Sequence, residues 1–340
     1  MTERDPELDT TPITLSAVHD AAKAIKDVVT KTPLLENQDV NARLGGRLLI
    51  KTENMQRTGA FKIRGAYNRI RQMSADERER GVITYSSGNH AQGVAMAAAV
   101  FGTSALIVMP ADAPPAKIAS TEALGAKVVT YDRDSESYDD VVARLRAETD
   151  RLPVPPSGDT RVLAGAATVA LEILDQAAEV NASCDAVLIP CGGGGLTAGA
   201  AFVMNELSPA TDVYAVEPDA FDDTKRSLEA GHRVKNPTGL RTICDAIMTP
   251  TPNAQTFEIN KSLLAGALSV SDQAAKDAML FAYHHYKIVV EPGAAVGLAA
   301  VLSGEIDPKG KNIVVVITGG NVDHQRFCHL VGEAGGCTRE

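Results

Sequence analysis

A lysine stands in an unusual setting in the stretch TGAFKIRGA, residues 58–66. Lys62 lies between Phe61 and Ile63 at the expected start of a helix, and lysine is seldom buried without a partner. Burial lowers the pKa of a lysine because it disfavours the charged ammonium form. A neutral amine can form a Schiff base with an aldehyde. Lys62 is therefore the first candidate catalytic residue.

A run of four glycines forms a second candidate site. In CGGGGL, residues 191–196, the run follows an apolar strand, AVLIP, and precedes a helix expected to begin near Leu196. Backbone N–H groups of such a loop converge on a phosphate, and the helix dipole adds attraction. Neither a GxGxxG fingerprint nor a GK[ST] motif is present, so the loop suits a single phosphomonoester. The alternative is a flexible glycine turn.

Polar residues crowd two further junctions between a strand and the segment that follows it. SSGNHAQG provides Ser86, Ser87, Asn89 and His90 at a helix start, although a helix cap requires only one such residue. This surplus favours a binding or catalytic function over capping. In ITGGN, Thr318 can place a hydroxyl beside a heteroaromatic nitrogen, although alone this stretch is an ordinary turn. A Schiff-base lysine together with a cradle for one phosphate suggests pyridoxal phosphate.

The elements that position these residues alternate between short strands and helices. From about residue 80, β-branched runs such as GVITY and SALIVMP alternate with helical stretches, which predicts an α/β fold with parallel sheets. The proline-rich segment 151–161 interrupts the series and indicates a domain boundary near residue 152. We expect a large cofactor-binding domain formed by residues 1–73 and 153–340, and a small domain formed by residues 74–152.

Composition excludes several classes of partner. The 340 residues include 43 acidic and 33 basic side chains, for a net charge of −10, which opposes binding to nucleic acid or to anionic membranes. No stretch reaches the ~20 apolar residues that span a bilayer. The five cysteines show no CxxC spacing, so we expect reduced thiols and a cytoplasmic protein.

The four motifs, in this order, resemble those of the fold type II pyridoxal-phosphate enzymes. The resemblance extends from about residue 14 to residue 325 and is closest to the serine/threonine dehydratase and serine racemase family, in particular its hydroxyaspartate dehydratase-like subgroup. It implies an α/β fold of the tryptophan synthase beta-like type, with two doubly wound sheet domains. It also implies a homodimer.

The resemblance assigns a role to each motif. Lys62 would hold pyridoxal 5'-phosphate as a Schiff base, with Phe61 packed beside the ring and Asn89 bonded to the phenolic oxygen. Thr318 would face the pyridine nitrogen. The phosphate would be bound by the glycine loop, that is by Gly192, Gly193, Gly194, Gly195 and the amide of Leu196.

The expected reaction is the dehydration of a 3-hydroxy amino acid. Lys62 would remove the α-proton as a general base, the β-hydroxyl would leave as water, and the enamine product would hydrolyse to an oxo acid and ammonia. Ser87 matches the family's second proton carrier. The substrate α-carboxylate would bind at the helix start formed by Ser86, Ser87, Asn89 and His90.

The resemblance also implies a divalent cation site. AVEPDAFDD places Glu217, the Phe221 carbonyl and Asp223 at the matching positions, and these oxygen ligands suit magnesium, manganese or calcium. From the residues alone, an acidic surface loop is the simpler interpretation.

The amino acid substrate is expected to be 3-hydroxyaspartate, with threonine or serine as the next choices. A second carboxylate requires a cation, and a bidentate arginine matches it best, which makes Arg241 the candidate. Serine racemases carry an arginine where this chain has Tyr138, and Arg133 is an imperfect substitute. The main alternative is a serine or aspartate racemase, and a third is a cofactor-binding protein without catalysis.

Overall fold

A computed structural model of the protein describes residues 5–86, 88–113, 115–132 and 135–334. The chain forms two compact units. Unit 1 comprises the described residues of Met1–Val29 and Phe61–Ala166, and unit 2 those of Thr30–Ala60 and Ala167–Glu340. The small domain expected from the sequence, residues 74–152, falls inside unit 1, whose limits differ from the expected ones. The division into a large and a small domain at 73/74 and 152/153 stays a prediction.

The strands follow the alternation expected from the sequence, with two additional strands near the amino terminus, a two-residue strand in the proline-rich segment 151–161 and one before the last helices. In chain order the strands are β1 (Leu34–Glu36), β2 (Arg47–Thr52), β3 (Val82–Tyr85), β4 (Ala105–Pro110), β5 (Lys127–Tyr131), β6 (Leu152–Pro153), β7 (Ala186–Pro190), β8 (Asp212–Pro218), β9 (Gly266–Val270) and β10 (Asn312–Ile317).

The helices are, in chain order, α1 (Leu15–Ile25), α2 (Gln38–Leu44), α3 (Lys62–Arg71), α4 (Ala75–Arg80), α5 (Asn89–Val100), α6 (Pro115–Ala123), α7 (Tyr138–Thr149), α8 (Thr160–Glu179), α9 (Gly195–Leu207), α10 (Asp223–Ala230), α11 (Ala254–Leu263), α12 (Asp272–Tyr286), α13 (Pro292–Leu302) and α14 (His324–Gly332). None of the helices in the described ranges is long and apolar enough to cross a membrane.

Unit 1 contains a four-stranded parallel sheet with the strand order β5-β4-β3-β6. Both of its faces are covered, as parallel sheets require. Val82 of β3 belongs to a core that includes Ile63 of α3 and Val94 of α5. Ile83, the next residue of β3, packs on the opposite face with Val141 of α7. The helix that begins at Lys62 is therefore part of the unit 1 core.

Unit 2 contains a six-stranded sheet with the strand order β1-β2-β10-β7-β8-β9. Strands β2, β10, β7, β8 and β9 are mutually parallel, whereas the short edge strand β1 is antiparallel to β2, with Leu34 opposite Lys51. The apolar helix α13 is buried along residues 292–301 and packs against this sheet. The glycine loop follows β7, and Thr318 follows β10, directly beside β7 in the sheet.

A buried charge in unit 2 is fully paired. The ammonium group of Lys51, in β2 beside the edge strand β1, donates to Glu172 at 2.6 Å, to Gln176 at 2.8 Å and to the Thr32 carbonyl at 2.8 Å. A buried ammonium requires this number of acceptors because burial removes its hydration. The ion pair joins β2 to α8 within unit 2.

Candidate active site

The boundary between the two units runs through the motif TGAFKIRGA, between Ala60 and Phe61. The unit 2 half of the motif is tied to the segment after β10. Gly320 N–H donates to the Gly59 carbonyl at 2.9 Å, and the Asn321 amide donates to the Thr58 carbonyl at 2.7 Å. Gly59 has a φ of +69°, and a Cβ there would lie 2.3 Å from Asn321 Oδ1. Glycine is thus required at this position, and the two sequence motifs are directly hydrogen-bonded.

Lys62 is the first residue of α3, and its environment in unit 1 favours the neutral amine. Its Nζ donates to the Pro156 carbonyl at 3.2 Å and lies 5.0 Å from the centre of the Phe61 ring. Burial lowers the pKa of Lys62 to about 8. The lowered pKa expected from the sequence is therefore present, and about a tenth of the amine is neutral at pH 7. A neutral amine is the form that attacks aldehydes.

Two glycines that the sequence analysis did not single out allow other helices to approach α3 closely. A Cβ on Gly93 of α5 would lie 3.0 Å from the Lys62 carbonyl carbon, and one on Gly165 of α8 would lie 2.4 Å from the Arg64 carbonyl oxygen. Real Cβ atoms do not occupy such positions without displacing the backbone. The start of α3 is therefore fixed by backbone contacts with α5 and with the part of α8 that belongs to unit 1. In the sequence, these close contacts are indicated by a glycine inside each helix, Gly93 in SSGNHAQG and Gly165 in LAGAAT.

The residues of the polar turn before α5 differ in burial and in hydrogen bonding. Ser86 Oγ accepts a hydrogen bond from Gly88 N at 3.2 Å, and Asn89 begins α5 as a half-buried residue. His90 is buried, and its Nε2 donates to the Val154 carbonyl at 2.8 Å. Burial, followed by the nearby charge of Lys62, lowers the pKa of His90 to about 3, so the imidazole is neutral. Ser87 lies outside the described residues.

The glycine loop of unit 2 is shaped by contacts with α11. Thr256 Oγ1 donates to the Gly193 carbonyl at 2.7 Å, and Asn260 Nδ2 donates to the Gly194 carbonyl at 3.4 Å. Gly194 has a φ of +81°, and a Cβ on it would lie 2.7 Å from Asn260 Nδ2. A Cβ on Gly192 would lie 3.2 Å from Ile247 Cα. The loop accommodates glycine at both positions and no larger residue without displacement.

These contacts fit a phosphate cradle. The carbonyls of Gly193 and Gly194 are held by α11, while Gly195 and Leu196 begin α9. The N–H groups of the first turn of a helix have no acceptor within the helix and are free to bind an anion. The donor set of the loop thus suits the phosphate of a small cofactor. Thr256 and Asn260 were missed by the sequence analysis because they come from a helix about 60 residues further along the chain.

Thr318 and Arg241 occupy contrasting environments within unit 2. Thr318 is buried directly after β10 and precedes the residues hydrogen-bonded to Gly59. Arg241 is exposed, and its guanidinium donates to the carbonyl of Leu240, its neighbour in the chain, at 3.4 Å. No hydrogen bond in the described ranges joins Arg241 to the other candidate residues of unit 2. Arg133, the weaker candidate for a substrate carboxylate, lies outside the described residues.

Two buried carboxylates mark the expected cation site. Glu217 is fully buried and accepts from the Thr224 and Lys225 amides, each at 3.0 Å. Asp223 Oδ1 accepts from Asn236 at 2.6 Å, whereas its Oδ2 is buried with no hydrogen-bond partner among the described residues. Burial raises the pKa of Glu217 to about 8 and that of Asp223 to about 6. The described residues contain no group of three His, Cys, Asp or Glu side chains suited to a metal ion, so any cation here would also need the Phe221 carbonyl.

The surroundings of Lys62 in unit 1 suit a Schiff-base amine. Within unit 2, the glycine loop suits a phosphate group. The family model described as "Pyridoxal-phosphate dependent enzyme" matches residues 25–319. The chain belongs to this family. Its fold is that of the fold type II members, as the structural comparisons below show.

Three similar proteins have related activities. L-threo-3-hydroxyaspartate ammonia-lyase of Saccharomyces cerevisiae is 39% identical over 94% of this chain and 96% of its own length. Serine racemase of Schizosaccharomyces pombe is 37% identical over 94% of this chain and 98% of its own. The crystal structure of a T.th. threonine deaminase has a TM-score of 0.86 and 40% identity, and covers 92% of this chain and 99% of that one.

Proposed function

We propose that the protein is a pyridoxal-phosphate-dependent dehydratase, or ammonia-lyase, that eliminates water from a 3-hydroxy amino acid and prefers 3-hydroxyaspartate. The observation that carries the proposal is the Lys62 amine, which is held at a carbonyl oxygen and has a pKa of about 8. The choice of reaction is supported by the hydroxyaspartate ammonia-lyase of Saccharomyces cerevisiae, which is similar over 94% of the chain.

The candidate residues divide into those that would bind the cofactor and those that would move protons. When bound, pyridoxal phosphate withdraws electrons from the substrate α-carbon and so acidifies the α-proton. The residues proposed to hold it are Phe61, Lys62, Asn89, Gly192, Gly193, Gly194, Gly195, Leu196 and Thr318. The neutral Thr318 hydroxyl, buried after β10, suits an uncharged ring nitrogen. The Gly194 environment supports the phosphate assignment because it excludes a side chain.

Lys62 is proposed as the general base. Its lowered pKa leaves an appreciable neutral fraction near pH 7, and the hydrogen bond to the Pro156 carbonyl uses an N–H and leaves the lone pair available. Proton removal at the α-carbon and loss of the β-hydroxyl as water give a free enamine. Its tautomer, the imine, consumes one water molecule to yield an oxo acid and ammonia, so the net change is loss of ammonia. Ser87 stays a prediction as the second proton carrier.

The substrate would be bound by the turn before α5 and by a separate arginine side chain. The proposed contacts for the α-carboxylate are Ser86, Ser87, Asn89 and the backbone amide of His90, since α5 presents its N-terminal amides there. Arg241 is proposed for the second carboxylate of 3-hydroxyaspartate. Its exposed guanidinium is not held by an acidic side chain among the described residues, which leaves it able to bind a carboxylate.

A divalent cation is proposed at Glu217, the Phe221 carbonyl and Asp223. The support is the pair of buried carboxylates and the buried Asp223 Oδ2 that has no hydrogen-bond partner in the described part of the chain. A cation of the magnesium, manganese or calcium type would offset the burial of these oxygens. Thermal unfolding of the protein treated with EDTA, followed by readdition of each metal, tests the site, with Asp223→Asn as the variant that should lose the effect.

A homodimer in the cytoplasm is proposed as the biological form. Unit 2 exposes Met55, Tyr283 and Val289, each more than two-fifths accessible, and a subunit contact that included these side chains would remove their apolar surface from water. Sedimentation velocity of the purified protein tests the dimer. A monomer at micromolar concentration would contradict it.

The proposed reaction is tested with a panel of amino acids: both diastereomers of 3-hydroxyaspartate, and the enantiomers of threonine, serine and aspartate. Oxo acid and ammonia are measured together with chiral analysis of the remaining substrate, and Lys62→Ala is the control. Equal release of oxo acid and ammonia without enantiomer formation supports the dehydratase. Inversion of serine or aspartate before any ammonia release would make racemisation the principal activity. Racemisation is the second candidate because serine racemase of Schizosaccharomyces pombe is a similar protein.

Arg241→Ala distinguishes the role of that residue within the same panel. We expect at least a tenfold lower kcat/KM for 3-hydroxyaspartate, because a lost charge-assisted bond is worth about 1.5–3 kcal/mol, with little change for serine. An unchanged ranking of substrates would rule out Arg241 as the ligand of the second carboxylate.

A further inference from the structure

The segment VPPSGD, residues 154–159, joins β6 to α8 in unit 1 and is conformationally restricted along its length. Pro155 and Pro156 have fixed φ angles, and Gly158 adopts a left-handed conformation with φ +81°. Asp159 is fully buried, and its Oδ1 accepts from two amides of the first turn of α8 at 2.9 and 3.3 Å. A restricted segment transmits a displacement at one residue to its neighbours.

Hydrogen bonds hold this segment at three points. At its start, the Val154 N–H donates to the Ile83 carbonyl at 2.9 Å, and the Val154 carbonyl accepts from His90 Nε2 at 2.8 Å. In the middle, the Pro156 carbonyl accepts from Lys62 Nζ at 3.2 Å. At its end, Asp159 forms ion pairs with Arg69 and Arg161.

We propose that His90 is a positioning residue for Lys62: by holding the Val154 carbonyl it fixes the Pro156 carbonyl two residues later, and this carbonyl holds the Lys62 amine. The assignment differs from the substrate-binding role expected from the sequence. The His90 imidazole is only 3% exposed, and its Nε2 is committed to Val154. The inference deepens the proposed function, since it concerns the residue proposed as the general base.

The geometry favours an amine over an ammonium ion at Lys62. Within the described residues, the Pro156 carbonyl is the acceptor that the structure gives to Nζ. An ammonium group has three N–H donors to satisfy, and a single carbonyl satisfies one of them, whereas a neutral amine needs one acceptor and keeps its lone pair for chemistry. The carbonyl itself stabilises the ammonium form, because a hydrogen bond from a charged donor is stronger than one from a neutral donor. If the Pro156 carbonyl moves away, the ammonium form loses this acceptor and the pKa of Lys62 falls further.

The effect of His90 is positional and not a charge effect. His90 is neutral, because its pKa of about 3 lies far below neutral pH. Its replacement by another neutral side chain therefore changes no charge near Lys62. A change in the pKa of Lys62 must then come from movement of the Val154–Asp159 segment.

The test uses two amide side chains that differ in length. In H90Q the amide nitrogen can reach the Val154 carbonyl much as Nε2 does, whereas in H90N it is one bond too short. The cofactor-free proteins are labelled with limiting acetic anhydride at pH values from 6 to 11 (roughly the span between a lowered and an ordinary lysine pKa). Mass spectrometry of the peptides then gives the pKa of each lysine, with the exposed Lys23 as internal reference.

We expect the pKa of Lys62 to stay near the wild-type value of about 8 in H90Q and to fall by about one unit in H90N, where the ammonium form loses its carbonyl acceptor. Circular dichroism identifies variants that have not folded. Pro155→Gly provides an independent variant, since it loosens the connection between the two carbonyls and leaves His90 intact. It should lower the pKa of Lys62 as well.

An unchanged or raised pKa of Lys62 in folded H90N, or in Pro155→Gly if H90N does not fold, would overturn the proposal, as would an equal fall in H90Q and H90N. The measurement requires no cofactor and no substrate. The positioning role of His90 can therefore be refuted while the wild-type protein still binds pyridoxal phosphate at Lys62. It can also be supported if the proposed reaction is wrong.

Discussion

Replacement of Gly194 by alanine should weaken cofactor binding through the shape of the phosphate cradle. Gly194 has a φ of +81°, and a Cβ there would lie 2.7 Å from Asn260 Nδ2 and 2.9 Å from Thr256 Oγ1. Those two side chains hold the carbonyls of Gly194 and Gly193. The added methyl group must therefore displace at least one of the residues that orient the loop.

The size of the effect follows from two contributions. A left-handed conformation costs a residue other than glycine about 1–2 kcal/mol, and loss of one hydrogen bond from α11 costs about 1 kcal/mol. If the loop relieves this cost by moving out of its binding conformation, cofactor affinity falls by about 2–3 kcal/mol. That corresponds to a 30- to 150-fold higher Kd, at roughly 1.4 kcal/mol for each factor of ten.

Titration of the cofactor-free protein with pyridoxal 5'-phosphate, followed by absorbance, measures this Kd. Gly304→Ala is the matched control, because Gly304 has a φ of +82° but a Cβ added there would have no neighbouring atom within 4 Å. It carries the conformational strain without the crowding and lies in the turn after α13. A Kd within twofold of wild type in folded Gly194→Ala, or an equal loss of cofactor affinity in both variants, would refute the proposal that the glycine loop binds the phosphate.

Two further predictions concern unit 1. Gly165→Ala should destabilise the protein by about 1–3 kcal/mol, as overpacking does, because its Cβ would lie 2.4 Å from the Arg64 carbonyl oxygen. The Tm should therefore fall, whereas the control Gly332→Ala, whose Cβ meets open space, should leave the Tm unchanged. Equal Tm values for the two variants would contradict the close packing at Gly165. His90 has a pKa lowered from 6.5 to about 3, so the unfolded state binds more protons and the stabilisation present above pH 6.5 is lost as pH falls towards 3. The free energy of unfolding in urea should fall by up to about 4 kcal/mol over this pH range in the wild type and in His19→Gln, the control at an exposed histidine. His90→Gln should not show this loss. Parallel pH profiles for all three proteins would refute the assignment to His90.

The local pattern of the sequence was sufficient to predict the strands that carry the site. Apolar runs such as AVLIP and NIVVVI form β7 and β10, because a strand buried on both faces needs a continuous apolar stretch. The glycine loop after β7 and Thr318 after β10 also lie where the sequence predicted, since the carboxyl ends of parallel strands are read directly from the chain order. The short antiparallel strand β1 has no comparable signal in its three residues.

Contacts between distant residues could not be predicted in the same way. The bond from His90 to Val154 joins residues 64 positions apart, and the support of the glycine loop by Thr256 spans 63 positions. Each depends on how helices pack, which no local pattern encodes. The unit boundary between Ala60 and Phe61 falls inside one motif, where composition gives no sign of a division.

The proposed function requires that the Lys62 amine carries pyridoxal phosphate. The protein saturated with this cofactor is reduced with sodium borohydride, digested and analysed by mass spectrometry, with Lys62→Ala treated in parallel. We expect the reduced cofactor to be attached to Lys62 and the visible absorbance of the Schiff base to be missing in Lys62→Ala. Attachment at another lysine, or none in the wild-type protein, would contradict it.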